Sequence, residues 1–187
     1  TSSWDERREA ARGVSETSVL AKELPAHQLV YGELQVEALA TILDAAGVNE
    51  GDNFCDVGSG DGMTVIAASL LLGDALEVSG GLEIVPGLTE RALHHLRMLE
   101  AAKGERQLPS MRFLTADIFN PSVEASSLLS TSTIATCFAT TWSHGNGRKH
   151  RELPELSQAL AKRMQPGAKV VVIDGRVLES DGWYWEG

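Results

Sequence analysis

The chain has 187 residues, 43% of them apolar and 22% charged, with a formal net charge of −10 at pH 7. That length suits one domain with a sizeable core, and the composition is that of a globular protein. The acidity argues against a nucleic-acid-binding body, since phosphate contacts need a basic face, and no apolar run reaches the roughly 18 residues a membrane span requires.

No apolar leader opens the sequence, which predicts an intracellular protein, cytoplasmic or nuclear. A start at Thr1 rather than Met is expected of a trimmed chain. Residues 4–23 are charged and alanine-rich, with a helical pattern broken at Gly13 and closed by Pro25. They predict a helical N-terminal arm over 1–29, ahead of a single domain over 30–187. Glu33–Ala46 carries Leu34, Val36, Leu39, Ile42 and Leu43 at helical spacing and ends at Gly47.

Asn53–Val57 is a short apolar run, the first predicted strand, and a helix follows over 62–72. Leu76–Ile84 reads as a second strand interrupted at Gly80-Gly81. Pro86 then opens a helix to about Ala102. Met111–Thr115, Ser132–Ala139 and Lys169–Ile173 are the third, fourth and fifth strands, with a helix over Glu152–Met164. Strands alternating with helices predict an α/β fold with a doubly wound, mostly parallel sheet. Cys55 and Cys137 both fall in strands, where a cysteine serves as a small buried hydrophobe. No Cys/His cluster has metal-ligand spacing.

The most informative stretch lies between the first strand and its helix. Asp56-Val57-Gly58-Ser59-Gly60-Asp61-Gly62 places three glycines at alternate positions just beyond an acid. Glycines there let backbone approach a ligand closely, at the strand tips where open α/β sheets bind nucleotides. A dinucleotide G-x-G-x-x-G fails because Met63 stands at the third glycine, and no lysine follows to make a P-loop. Asp56 would repel a pyrophosphate but accept from an ammonium group. Glu83, ending the second strand, stands where an acid holds ribose hydroxyls. Asp117 and Ile118, after the third strand, suit an adenine amino group and base face. The ligand so described is an adenosine with a cationic tail and no phosphate, which S-adenosyl-L-methionine matches.

The same residues resemble the class I S-adenosylmethionine-dependent methyltransferases, with a Rossmann-like fold. Val30-Tyr31-Gly32-Glu33, Gly81-Leu82-Glu83, Ala116-Asp117-Ile118-Phe119 and Phe138-Ala139 narrow that resemblance to the non-SET histone lysine methyltransferases of the disruptor-of-telomeric-silencing type. The resemblance implies that Tyr31, Gly32 and Glu33 fold over the methionine end of the cofactor. It implies further cofactor contacts at Asp56, Gly58, Ser59, Gly60, Gly62, Met63, Glu83, Ile84, Asp117, Ile118 and Cys137. Two departures stand out: Thr136-Cys137 replaces the family's paired asparagines, and Arg176–Gly187 leaves room only for a short or absent C-terminal hairpin.

Methyl transfer needs a nucleophile held in line in a dry channel, and Tyr31, Phe138 and Trp142 are the candidate catalytic walls. The expected acceptor is a protein lysine. RNA or small-molecule methylation and a non-catalytic cofactor-binding scaffold are the alternatives; Cys137-Phe138-Ala139-Thr140 lacks the N/D-P-P-[YF] motif that RNA enzymes of this fold often carry. His144–His150 is a basic loop beside the presumed substrate mouth, and Trp183-Tyr184-Trp185 reads as a final edge strand or an exposed patch.

Overall fold

A computed structural model describes residues 35–140, 142 and 151–184. The helical arm, Tyr31, Gly32, Glu33, the basic loop and Trp185 lie outside the described residues.

Five strands form one sheet in which every pairing is parallel: β1 (Asp52–Val57), β2 (Leu76–Glu83), β3 (Ser110–Thr115), β4 (Ile134–Phe138) and β5 (Lys169–Ile173). Their order across the sheet is β3-β2-β1-β4-β5. Helices α1 (Val36–Ala46), α2 (Met63–Leu72), α3 (Pro86–Ala102), α4 (Val123–Thr131) and α5 (Pro154–Ala161) cover the sheet, and the last four supply its crossovers. After β3 the chain returns past β1 to lay β4 on its other side. That reversal of winding opens a crevice at the carboxyl ends of β1 and β4.

Parallel strands are covered on both faces, and the core divides accordingly. One apolar cluster joins Leu39 and Leu43 of α1, Val65, Ile66 and Ala68 of α2, and Ala92 of α3 to Phe54 and Phe113. The other joins Leu128 and Leu129 of α4 with Leu156 and Leu160 of α5 to Val57, Leu82 and Ala135. Cys55 and Cys137 are free thiols, both fully buried in this second cluster. Burial pushes both thiols well above the ordinary range.

Several local outcomes differ from the sequence expectation. Gly80-Gly81 does not interrupt β2. A Cβ on Gly80 would lie 2.6 Å from Leu128 of α4, and one on Gly81 would lie 2.5 Å from the Ser59 hydroxyl, so the strand needs glycine for neighbours to pack on it. Helix α4, absent from the sequence reading, is capped by Ser122, whose hydroxyl accepts from the Ala125 amide at 3.2 Å. Helix α5 starts at Pro154 rather than Glu152, because Glu152 instead bridges to Arg176 in backbone pairing and an ion pair. At the C-terminus no edge strand forms among the described residues. A 3-10 turn over Glu179–Asp181 precedes Trp183, whose indole Nε1–H donates to the Ser157 carbonyl at 3.2 Å, while Tyr184 is exposed.

Candidate active site

The glycine turn is fastened to the neighbouring strand. Gly58 and Ser59 amides both donate to the Leu82 carbonyl, at 2.8 and 3.0 Å. Gly58, Gly60 and Gly62 have φ of 81°, 56° and 84°, the left-handed region that an L side chain enters at a cost. Gly62 is also enclosed: a Cβ there would sit 2.6 Å from Phe113 and 2.8 Å from Ala92. Gly58 is exposed instead, and its Cβ would meet only the Trp142 indole, at 3.6 Å. The turn therefore combines a packed root at Gly62 with an open face at Gly58.

Glu83 locks this turn. Its Oε2 accepts from the Gly60 amide at 2.8 Å and its Oε1 from the Val85 amide at 2.9 Å. A carboxylate accepts at about four lone-pair sites, so acceptor capacity remains beyond the amide bonds for a ligand hydroxyl. Burial raises the carboxyl pKa, opposed by the amide bonds from Val85, Gly60 and Ile84. Sequence reasoning singled out Glu83 for a ligand. Its part in holding the turn depends on the fold's bringing Gly60 to it.

Asp56, at the tip of β1, is 5% exposed. Thr136 of β4, its partner in strand register, donates its hydroxyl to Asp56 Oδ1 at 2.6 Å. A second hydroxyl bond comes from Thr64 at the start of α2. Burial nevertheless pushes the Asp56 carboxyl up to about 6. Among the described residues Asp56 has no cationic partner. A buried carboxylate beside an open backbone turn, held only by hydroxyls, is electrostatically incomplete.

The other tips close around this pair. Asp117 lies after β3, where the Ala116 amide donates to the Glu83 carbonyl at 2.8 Å; its Oδ1 accepts from the Phe119 amide at 2.8 Å. Ile118 is buried, whereas Phe119 is exposed and meets Trp142 edge-on, with ring centroids 6.0 Å apart. Met63 and Ile84 stand at the rim, the first exposed and the second half-buried. Ser59 is buried beneath Gly81, and Phe138 is half-buried at the end of β4. Cys137 has no exposed surface; its side chain belongs to the core cluster. Beyond β4, Thr140 donates to Asp174 Oδ2 at 2.6 Å, and Asp174 has a positive φ of 63° at the tip of β5.

With the crevice described, the likenesses to known proteins become informative. The family described as "Histone methylation protein DOT1" matches residues 11–134, more than half of the chain. The chain belongs to that family. The match takes in β1, the glycine turn, Glu83 and Asp117, and ends at the start of β4.

Among solved structures, an RNA methyltransferase from Salinibacter ruber in complex with S-adenosyl-L-homocysteine is 26% identical, with TM-score 0.52, covering 75% of this chain and 76% of that one. S-adenosylmethionine-dependent methyltransferases from Thiobacillus denitrificans and Geobacter sulfurreducens, each in complex with S-adenosyl-L-homocysteine, share the fold. They are 19% and 18% identical, with TM-scores of 0.53 and 0.54, and cover 86% and 87% of this chain. The chain spans about half the length of these two proteins, 53% of each. No curated protein matches it in sequence.

Proposed function

We propose that this chain is the cofactor-binding domain of an S-adenosyl-L-methionine-dependent methyltransferase whose acceptor is a lysine side chain of a protein. The observation that carries the cofactor is Asp56, a buried acid with hydroxyl partners and no cation among the described residues, at the foot of an open glycine turn. An ammonium group supplies the missing charge, and a phosphate would be repelled. Gly58 leaves the turn open to the ligand, Glu83 offers its remaining lone pairs to ribose hydroxyls, and Asp117 and Ile118 suit the adenine edge and face. S-Adenosylhomocysteine in three solved structures of this fold supports the same ligand.

When bound, the cofactor supplies an activated methyl group open to in-line displacement by a nucleophile. The protein's task is positioning and the exclusion of water. Phe138, the last residue of β4, and Trp142, beyond it, follow the strand paired with the Asp56 strand and would wall the acceptor's approach. Apolar walls also favour the neutral amine that a lysine must present, because burial disfavours its charged form.

Membership of a histone methylation family supports the protein lysine, and the acidic chain suits a basic protein tail. A protein-lysine acceptor of that kind would suit a location in the cytoplasm or nucleus. Among the described residues no helix is long and apolar enough to cross a membrane. The 26% identity to an RNA methyltransferase favours RNA as the second reading. Incubation with labelled S-adenosylmethionine and, separately, core histones, total protein and total RNA decides between them. Label in a lysine of protein is the expected outcome; label in RNA alone overturns the lysine reading and leaves the cofactor reading standing.

A further inference from the structure

We infer that Thr136 is the positioning residue for Asp56: its hydroxyl holds the carboxylate ionised and aimed for the ligand's ammonium group. The inference rests on the cofactor reading above and assigns a role to a residue that replaces one of the family's paired asparagines.

Three observations carry it. Thr136 is 1% exposed, so its hydroxyl has no competing water, and its bond to Asp56 Oδ1 is 2.6 Å. It stands opposite Asp56 in the β1–β4 register, which fixes the pair through two hydrogen-bonded strands rather than a loop. A threonine is also stiff about χ1, so the hydroxyl is held on the acid.

The chemistry makes that bond consequential. An isolated carboxyl group at this depth favours its proton, and a protonated Asp56 offers an ammonium group no charge. A donated hydroxyl bond is stronger to the ionised form than to the protonated one, so it shifts the balance toward the carboxylate. The titratable groups facing Asp56 are Cys55 on its own strand, Cys137 on β4 and Glu83 on β2. The two thiols stay neutral, and Glu83, when charged, pushes Asp56 in the same direction as burial does. From α2 the neighbour is Thr64, a second donor. The hydroxyls thus act against burial and Glu83 together, and Thr136 sets how far down the pH scale the crevice takes up its ligand.

The test is calorimetric titration of the full chain with S-adenosylhomocysteine from pH 5 to 8.5. Wild-type affinity should be flat at high pH and weaken below about pH 6. Thr136→Val keeps shape and removes the donor; its midpoint should move up by about one unit, weakening binding about threefold at pH 6.5 and nearly tenfold at about pH 5, with recovery by pH 8.5. Thr136→Ala should share that midpoint, and Thr136→Ser should restore the wild-type profile. A Thr136→Val profile with an unmoved midpoint, or weakened equally at every pH, overturns the positioning role while leaving the cofactor reading intact. A folded wild-type chain that takes up no S-adenosylhomocysteine at any pH overturns both.

Discussion

Gly58 and Gly62 sit four residues apart with nearly the same backbone angle, yet the structure assigns them different work. At Gly62 an alanine costs about 1–2 kcal/mol for the left-handed backbone and about 1–3 kcal/mol for driving a methyl into Phe113 and Ala92, at 2.6 and 2.8 Å. The sum, about 2–5 kcal/mol, is a large part of the 5–15 kcal/mol that typically holds a domain together. At Gly58 only the backbone term applies, about 1–2 kcal/mol, because the methyl meets Trp142 at 3.6 Å, an ordinary contact. For a chain this size each kcal/mol lowers Tm by about 2–4 °C. Gly58→Ala should therefore melt about 2–8 °C below wild type, and Gly62→Ala about 4–20 °C below. Binding should rank the other way relative to stability, since the Gly58 methyl projects from the open face: its affinity for S-adenosylhomocysteine should fall at least about tenfold, and Gly58→Val should abolish binding. Differential scanning calorimetry gives the first quantity and isothermal titration the second. The reasoning fails if Gly58→Ala loses as much stability as Gly62→Ala while keeping wild-type affinity.

Asp56 makes a linked pair of predictions. Its folded pKa, about 6, lies above the reference 3.8, so folding retains a proton that the unfolded chain releases. Its contribution to stability is present below about pH 4 and is lost, by about 3 kcal/mol, as pH rises through 6. Asp56→Asn removes that loss: the ligand-free variant should melt above wild type at pH 7, with a difference that shrinks to little at pH 4, and should not bind S-adenosylhomocysteine. A difference in Tm that does not vary with pH contradicts this account; losing the Asp56 charge also eases the ionisation of Glu83, which adds to the gain at pH 7. Glu83→Ala should weaken S-adenosylhomocysteine binding by about 1.5–3 kcal/mol and lower Tm as well, as the Gly60 and Val85 amides lose their acceptor. Unchanged affinity in that variant removes Glu83 from the ligand site.

Much of the fold was legible because buried parallel strands are apolar runs, and here acids or glycines mark where β1, β2, β3 and β5 stop. Asp56, the glycine turn, Glu83 and Asp117 could be assigned to strand tips from one sequence, and in a doubly wound sheet the tips converge. Pairings across the sheet were less accessible. Thr136 read only as a departure from a family pattern; its bond to Asp56 follows from β1–β4 register, which neither strand specifies alone. Gly80-Gly81 looked like a break because glycine weakens an isolated strand, whereas here it admits Leu128 and Ser59. Helix α4 is nine residues long and rich in serine, so its apolar stripe of Ala125, Leu128 and Leu129 is short; Ser122 followed by Glu124 was its visible start signal. Trp183 could not be placed because its partner, the Ser157 carbonyl, lies on a helix two elements earlier.

The decisive measurement is a crystal structure of the full chain grown with S-adenosylhomocysteine. Ribose hydroxyls on the Glu83 carboxylate, the amino group within hydrogen-bond reach of Asp56 and adenine beside Ile118 are the arrangement predicted. Density for the compound anywhere other than over the Gly58 turn, or an amino group turned away from Asp56, contradicts it.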